Sequence, residues 1–243
     1  MLKALRHDAV LPHLVVLGLL ACWPQSSWCA DAADPGRRAE ALVVPDLGRI
    51  ADAQAWRLIN GEVHLSTQRD RPSVRLSPIG GNRQGSNLAM ALVRGVPFTQ
   101  GLIEVDLRGD PAGEASFVGV AFGVTDGKTH EAIYFRPFNF QADDPVKRAH
   151  AVQYVAWPEY PWDRLRAEKP GVYETAVAPV PDPAAWFHAR IDVNAARVSV
   201  FVNGATLPCL SVDRLGRHAT GEVGLWVDSQ PGTFANLTIQ RRD

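Results

Sequence analysis

Cysteine is nearly missing from this chain of 243 residues, and the three present do not make a framework. Cys22 and Cys29 lie in or beside an apolar N-terminal stretch, which leaves Cys209 alone in the body of the chain. A disulfide-stapled scaffold is thereby excluded, and no zinc or iron–sulfur spacing occurs. An excess of charge is missing as well: 25 Lys and Arg face 26 Asp and Glu, a net charge of −1. That balance offers no basic surface for nucleic acid and argues against long-range attraction of a polyanion. Beyond the N-terminus no apolar run is long enough to span a bilayer. Helical periodicity is also absent: no ten-residue window carries it persuasively, although Pro161 to Glu168 suits a short helical turn.

The N-terminus reads as a leader. Lys3 and Arg6 precede an apolar run from Ala9 to Cys22, and Ala30-Asp31-Ala32 fits an A-x-A cleavage site. Residues 1–32 are therefore expected to be a signal peptide, and the protein to be exported to the periplasm or outside the cell. Leu19-Leu20-Ala21-Cys22 also resembles a bacterial lipobox. On that reading Cys22 carries a lipid anchor, and a Cys29–Cys209 bridge becomes available. If cleavage instead follows Ala30 or Ala32, Cys209 is a small buried apolar residue. Residues 33–46, rich in Ala, Pro and Arg without period, read as a linker, and residues 47–243 as one domain.

Within that domain short alternating runs recur between turn residues. Gly101-Leu-Ile-Glu-Val-Asp-Leu-Arg turns Ile103, Val105 and Leu107 inward and Glu104, Asp106 and Arg108 outward. Ser116 to Val124 is apolar on both faces, with Gly119, Ala121 and Gly123 opposite Val118, Val120 and Phe122. Such a strand is central, and one of its faces lies close to a second sheet or a ligand. Asn203-Gly204 is a tight-hairpin dipeptide, and Asn194-Ala-Ala links two further strands. The pattern predicts an all-β fold, an antiparallel two-sheet sandwich.

The most informative stretch runs from His150 to Glu174. It starts as a strand and becomes a loop holding Tyr154, Trp157, Tyr160, Trp162 and Tyr173 among Glu159, Asp163, Arg164, Arg166, Glu168 and Glu174. Aromatic faces beside planar hydrogen-bonding groups suit a sugar, which stacks its apolar face and bonds through its hydroxyls. Tyr134, Arg136 and Asn139 on the preceding segment, with Gln153 on the expected partner strand, extend the cluster. The same residues also fit a loop merely pinned to the sandwich.

Several runs together resemble the concanavalin A-like lectin/glucanase superfamily. They are Gly101-Leu-Ile-Glu-Val-Asp-Leu, Phe117-Val-Gly-Val-Ala-Phe-Gly, Trp186-Phe-His-Ala-Arg-Ile, Val198-Ser-Val-Phe-Val-Asn-Gly, Gly221-Glu-Val-Gly-Leu-Trp-Val and Gly232-Thr-Phe-Ala-Asn-Leu. Their order is similar to that of laminin-G-like and 3-keto-disaccharide hydrolase-type domains. The resemblance implies a jelly-roll sandwich whose members bind or cleave glycans on one sheet and its bordering loops. It encodes core strands and turns, so it speaks for fold far more than for activity.

Hydrolysis on such a fold requires two carboxylates across the bond. Glu104-Val-Asp106 is the tempting pair, but the glucanase pattern needs a further glutamate where this chain has Gly109, so an exposed charged strand face is the simpler reading. Glu131, Glu159 and Glu174 remain as scattered catalytic candidates. His130 and His150 flank the strands leading into the aromatic segment, yet no metal-binding or nucleophilic histidine motif exists. No cofactor is implied; Ca2+ held by Asn139 and Asp143 is the sharper alternative to a plain turn at Asp143-Asp144.

The leading expectation is an exported carbohydrate-binding protein. Tyr134, Arg136, Asn139, Gln153, Tyr154, Trp157, Glu159, Tyr160 and Trp162 would form its ligand site. A glycoside-processing hydrolase of the 3-keto-disaccharide hydrolase type, and a structural or adhesion module without a sugar site, stand beside it.

Overall fold

A computed structural model describes residues 41–68, 71–79, 87–110, 115–216 and 220–242. The leader, the lipobox and most of the linker lie outside these residues. All that follows concerns the unit Arg38–Asp243.

The described residues form fifteen strands in two antiparallel sheets. They are β1 (Ala41–Val43), β2 (Trp56–Ile59), β3 (Gly61–Gln68), β4 (Arg71–Pro78), β5 (Ala89–Phe98), β6 (Gly101–Gly109), β7 (Ser116–Val124) and β8 (His130–Phe135). Then follow β9 (Val152–Trp157), β10 (Glu174–Thr175), β11 (Phe187–Val193), β12 (Arg197–Val202), β13 (Leu210–Asp213), β14 (Gly221–Ser229) and β15 (Gly232–Arg241). The first sheet runs β13-β12-β11-β6-β15-β4-β3, with β1 also on β15; the second runs β10-β9-β8-β7-β14-β5-β2. The two sheets interleave along the chain, as a jelly-roll sandwich requires.

Alternation explains the core. Along β6 every second residue is buried, so Ile103, Val105 and Leu107 face inward as their spacing predicts. Phe98 and Phe122 meet edge to face at 6.1 Å, and Phe135 and Phe187 join the two sheets at 5.0 Å. Glu104 and Asp106 lie on the outer face of the first sheet, paired with His188, and are remote from the aromatic segment in the topology. The charged strand face is thus what Glu104-Val-Asp106 makes.

Three local features depart from expectation. Ala41–Val43, inside the stretch read as linker, pairs with Ile239–Arg241 of β15, so the sheet begins before Leu47. Three residues are too few to show a period. Asp143-Asp144 is more than a turn: the Asp144 carboxylate accepts the Val146 N–H at 2.8 Å and caps the short helix α1 (Pro145–Ala149), with Pro145 in its first turn. Cys209 is half-buried, and its thiol donates to the Val200 carbonyl at 3.4 Å. The short helical turn expected at Pro161–Glu168 is present as α2 (Trp162–Glu168), with Leu165 as its one buried residue and an exposed Arg164–Glu168 pair one turn apart. No helix among the described residues is long and apolar enough to cross a membrane.

Candidate functional site

One register row organises the outer face of the second sheet. Glu174, Gln153, Tyr134, Gly119, Trp226, Met90 and Ile59 are successive partners across all seven strands. Strands separated by one neighbour lie about 9.5 Å apart, yet the Tyr134 and Trp226 rings stack at 4.8 Å, 20° from parallel. Gly119 stands between them and has no side chain, so the two rings lean together over its backbone. A Cβ there would lie 2.1 Å from the Ile133 carbonyl oxygen, which only glycine avoids.

These rings floor a groove of about 670 Å3. Phe117 and Phe138 continue the floor, with Phe117 edge-on to Tyr134 at 5.9 Å and to Phe138 at 5.7 Å. Trp157, at the end of β9, and Trp162, opening α2, form one wall; Trp162 is 44% exposed and Trp157 half-buried. Asn139, Lys147, His150 and Arg166 stand at the end where α1 and α2 meet the sheet, and Asp228 and Ser229 at the end of β14.

Arg136 is the buried fork of this site. Its Nη2 donates to Gln153 Oε1 at 2.6 Å and to the Tyr134 hydroxyl at 3.0 Å, and its Nη1 to the His150 carbonyl at 2.7 Å. The guanidinium also covers the Tyr134 ring at 4.9 Å and the Phe117 ring at 5.4 Å. Burial pushes the Tyr134 hydroxyl up to about 12, so it stays protonated and donates to Gln153 Oε1 at 2.8 Å. Below them Glu174 accepts two parallel bonds from Arg166, 2.8 and 2.7 Å, and lies 2.8 Å from His150 Nδ1. Burial opposes its ionisation, but the Arg166 bonds and charge, aided by His150 and Arg136, outweigh this and hold its carboxyl below the usual range.

The groove therefore brings together Tyr134, Arg136, Asn139, Trp157 and Trp162 of the expected ligand site. Gln153 is fully buried beneath it, holding Arg136 and Tyr134. Tyr154 is corrected: it alternates to the opposite face, and in the interior its hydroxyl donates to Glu131 Oε2 at 2.6 Å. Burial, with the Glu131 charge, raises the Tyr154 pKa further still. Glu131 is likewise interior, clamped by Arg214 at 2.6 Å. Glu159 and Tyr160 line a separate cavity of about 200 Å3, which shares Trp157 with the groove. There His130 stacks on Trp157 at 6.5 Å; burial lowers its imidazole to about 4, and neither ring nitrogen finds a partner among the described residues.

Trp226, Phe117 and Lys147 line the groove without having been expected there from sequence, while Phe138, His150 and Arg166 come from the segments expected around it. Leu225 faces inward, so alternation along Gly224-Leu-Trp turns Trp226 outward; that was the available signal. As for Ca2+, Asn139 donates to the His150 carbonyl at 3.4 Å, and the Arg148 guanidinium takes the Ala142 and Asp143 carbonyls. The two backbone oxygens of this turn are thus engaged by a guanidinium rather than open to a cation. Among the described residues no group of three or more His, Cys, Asp and Glu converges.

No family model matches the sequence, and no curated protein matches it closely enough to count as a relative. Solved structures do match in fold. The exoplasmic/lumenal domain of VIP36, in its Ca2+-bound form, superposes with a TM-score of 0.50 at 10% identity, over 79% of this chain and 85% of that one. Carbohydrate binding module CBM66 from Bacillus subtilis gives 0.49 at 12% identity, over 76% and 95% of the two chains. A beta-glucanase from Bacillus licheniformis gives 0.48 at 12% identity, over 84% and 98%. The chain has the concanavalin A-like jelly-roll fold, and at these identities the likeness is one of fold.

Proposed function

We propose that this protein is exported and binds carbohydrate in the groove over Tyr134 and Trp226. One observation carries the reading: a partly exposed tryptophan, Trp162, stands at the mouth of a groove already floored by stacked rings. Keeping a large apolar ring in water is unfavourable unless something covers it. A pyranose does so with its C–H face, while its hydroxyls meet Asn139, Lys147, Asp228 and Ser229.

The carboxylates favour binding over cleavage. Glu131 and Glu159 both line the smaller cavity, where Glu131 is clamped by Arg214, and Glu174 is committed to Arg166, leaving Asp228 as the carboxylate among the residues lining the groove. A glycosidase needs an acid and a second carboxylate about 5–10 Å apart across the bond. The leader read in residues 1–32 supports export, to the periplasm or beyond, with Cys22 as the candidate point of lipid attachment.

The test is a glycan array probed with the full chain and with Trp162→Ala. Glycans retained by the parent and lost by a variant of unchanged melting temperature support the reading. No retained glycan, with Trp157→Ala merely less stable, would leave the aromatic segment as scaffold.

A further inference from the structure

We infer that the sugar held in this groove is an acidic one, carrying a carboxylate or a sulfate ester. The inference rests on the carbohydrate reading above and assigns its ligand class. It comes from an inventory of what the groove offers once internal bonds are counted.

At the end formed by α1 and α2, the positive groups are Arg136, Arg166 and Lys147, and the carboxylate beneath them is Glu174. Three cations against one anion leave a local excess of positive charge. The Lys147 ammonium is exposed and makes no ion pair or hydrogen bond among the described residues. Arg166 uses Nε and Nη2 on Glu174, which leaves Nη1 without a described partner at the groove.

A third donor points the same way. Trp226 is 4% exposed, lines the groove, and its indole N–H has no hydrogen-bond partner among the described residues. A buried donor without an acceptor is costly, so a ligand oxygen there is favoured. The uncommitted groups are thus mainly donors, two of them cationic, and they call for an acceptor-rich anion. Trp162, under the Arg166 guanidinium at 5.0 Å, sets a flat ring beside that charge, where a sugar ring bearing the anion would rest.

The net charge of −1 does not conflict with this. It averages over the whole surface, whereas one anionic unit is recognised by the few groups within a Debye length. Asp228 belongs to the β14 end, where it accepts from the Asn87 N–H and the Ser229 hydroxyl, so an elongated sugar would place its anion away from it.

The test is calorimetric titration of the full chain with oligogalacturonate and with chondroitin sulfate oligosaccharides. Cello- and laminari-oligosaccharides serve as uncharged controls, all at low and high salt. The acidic oligosaccharides should bind and weaken as salt rises, and Lys147→Ala should weaken them roughly two- to fivefold, the scale of an exposed ion pair. Lys147→Glu should weaken them further. Comparing the two acidic arms separates carboxylate from sulfate. Binding of uncharged oligosaccharides alone, lost in Trp162→Ala, would overturn the acidic ligand and leave the carbohydrate reading standing. Acidic binding indifferent to salt and to Lys147 would also overturn it. If neither class binds, both readings fall.

Discussion

Arg214, just past β13 of one sheet, and Glu131, on β8 of the other, meet between the sheets, Nη2 to Oε1 at 2.6 Å, with side chains 0% and 6% exposed. Each has further partners: Arg214 Nη1 donates to the Thr99 carbonyl at 2.8 Å, and Glu131 Oε2 accepts the Tyr154 hydroxyl at 2.6 Å. Two charges are kept out of water because every strong site on them is engaged. Removing one strands the other, at a cost of about 3–5 kcal/mol, while an apolar replacement of both is far milder. Arg214→Met should therefore lose most of that amount in urea unfolding, and Arg214→Met with Glu131→Met should recover much of it. Equal losses in the single and double variants would show that the charge is not what the site protects.

Glu174 predicts the acid limb of stability. Its carboxyl is held below the usual range in the fold, so ionisation stabilises the native state above the ordinary carboxylate pKa. That contribution is lost as pH falls through the depressed native value. Glu174→Gln should flatten the fall in melting temperature on acidification, at the expense of a lower plateau near neutrality. Arg166→Ala should lower that plateau too, by about 2–3 kcal/mol for a bidentate charged pair.

His188 predicts the opposite limb. The hydrogen bond to Asp106 at 2.9 Å raises its imidazole pKa; partial burial works against this, and the Asp106 and Glu104 charges add to it. Asp106 in turn pays for burial, but bonds from His188 and Asn236, with Arg71 nearby, keep its carboxyl low. A raised imidazole stabilises the fold fully below the unfolded His value and stops doing so as pH rises through the native one. Melting temperature should decline gently through that interval, and His188→Gln should remove the decline. The ring is more than a third exposed, so the effect is small.

How far the sequence could be read follows from what each feature depends on. Period-two burial along β6 depends on neighbouring residues of one strand, so Ile103, Val105 and Leu107 were assignable. The hairpin at Asn203-Gly204 depends on a local dihedral preference, and both residues do take positive φ, 49° and 73°. The site depends on what three or four strands bring side by side. Alternation states that Gln153 and Tyr154 face opposite ways but not which faces inward, and the buried Glu131–Arg214 pair decides it by drawing Tyr154 in. Alternation along β14 turns Trp226 away from the core, but its role emerges only when Gly119 lets it reach Tyr134. α1 has five residues, too few for a helical period to be visible.

Gly119 also supplies the sharpest test of the groove floor. A Cβ at this position would come within 2.1 Å of the Ile133 carbonyl oxygen and 2.7 Å of the Tyr134 Cα, so β7 and β8 would have to part. Gly119→Ala should cost roughly 1–3 kcal/mol, the range for forced overpacking. It should also separate the stacked rings, seen as a change in near-ultraviolet circular dichroism and in tryptophan emission. Gly127 is the control, since a Cβ there meets nothing closer than Ile59 at 3.5 Å, and Gly127→Ala should stay within about 0.5 kcal/mol of the parent. If Gly119→Ala proves as neutral as Gly127→Ala, the rings do not depend on a bare backbone between them. If it unstacks them while the sheet still folds, glycan binding should fall with the optical change, because stacked Tyr134 and Trp226 are the surface the sugar would rest on.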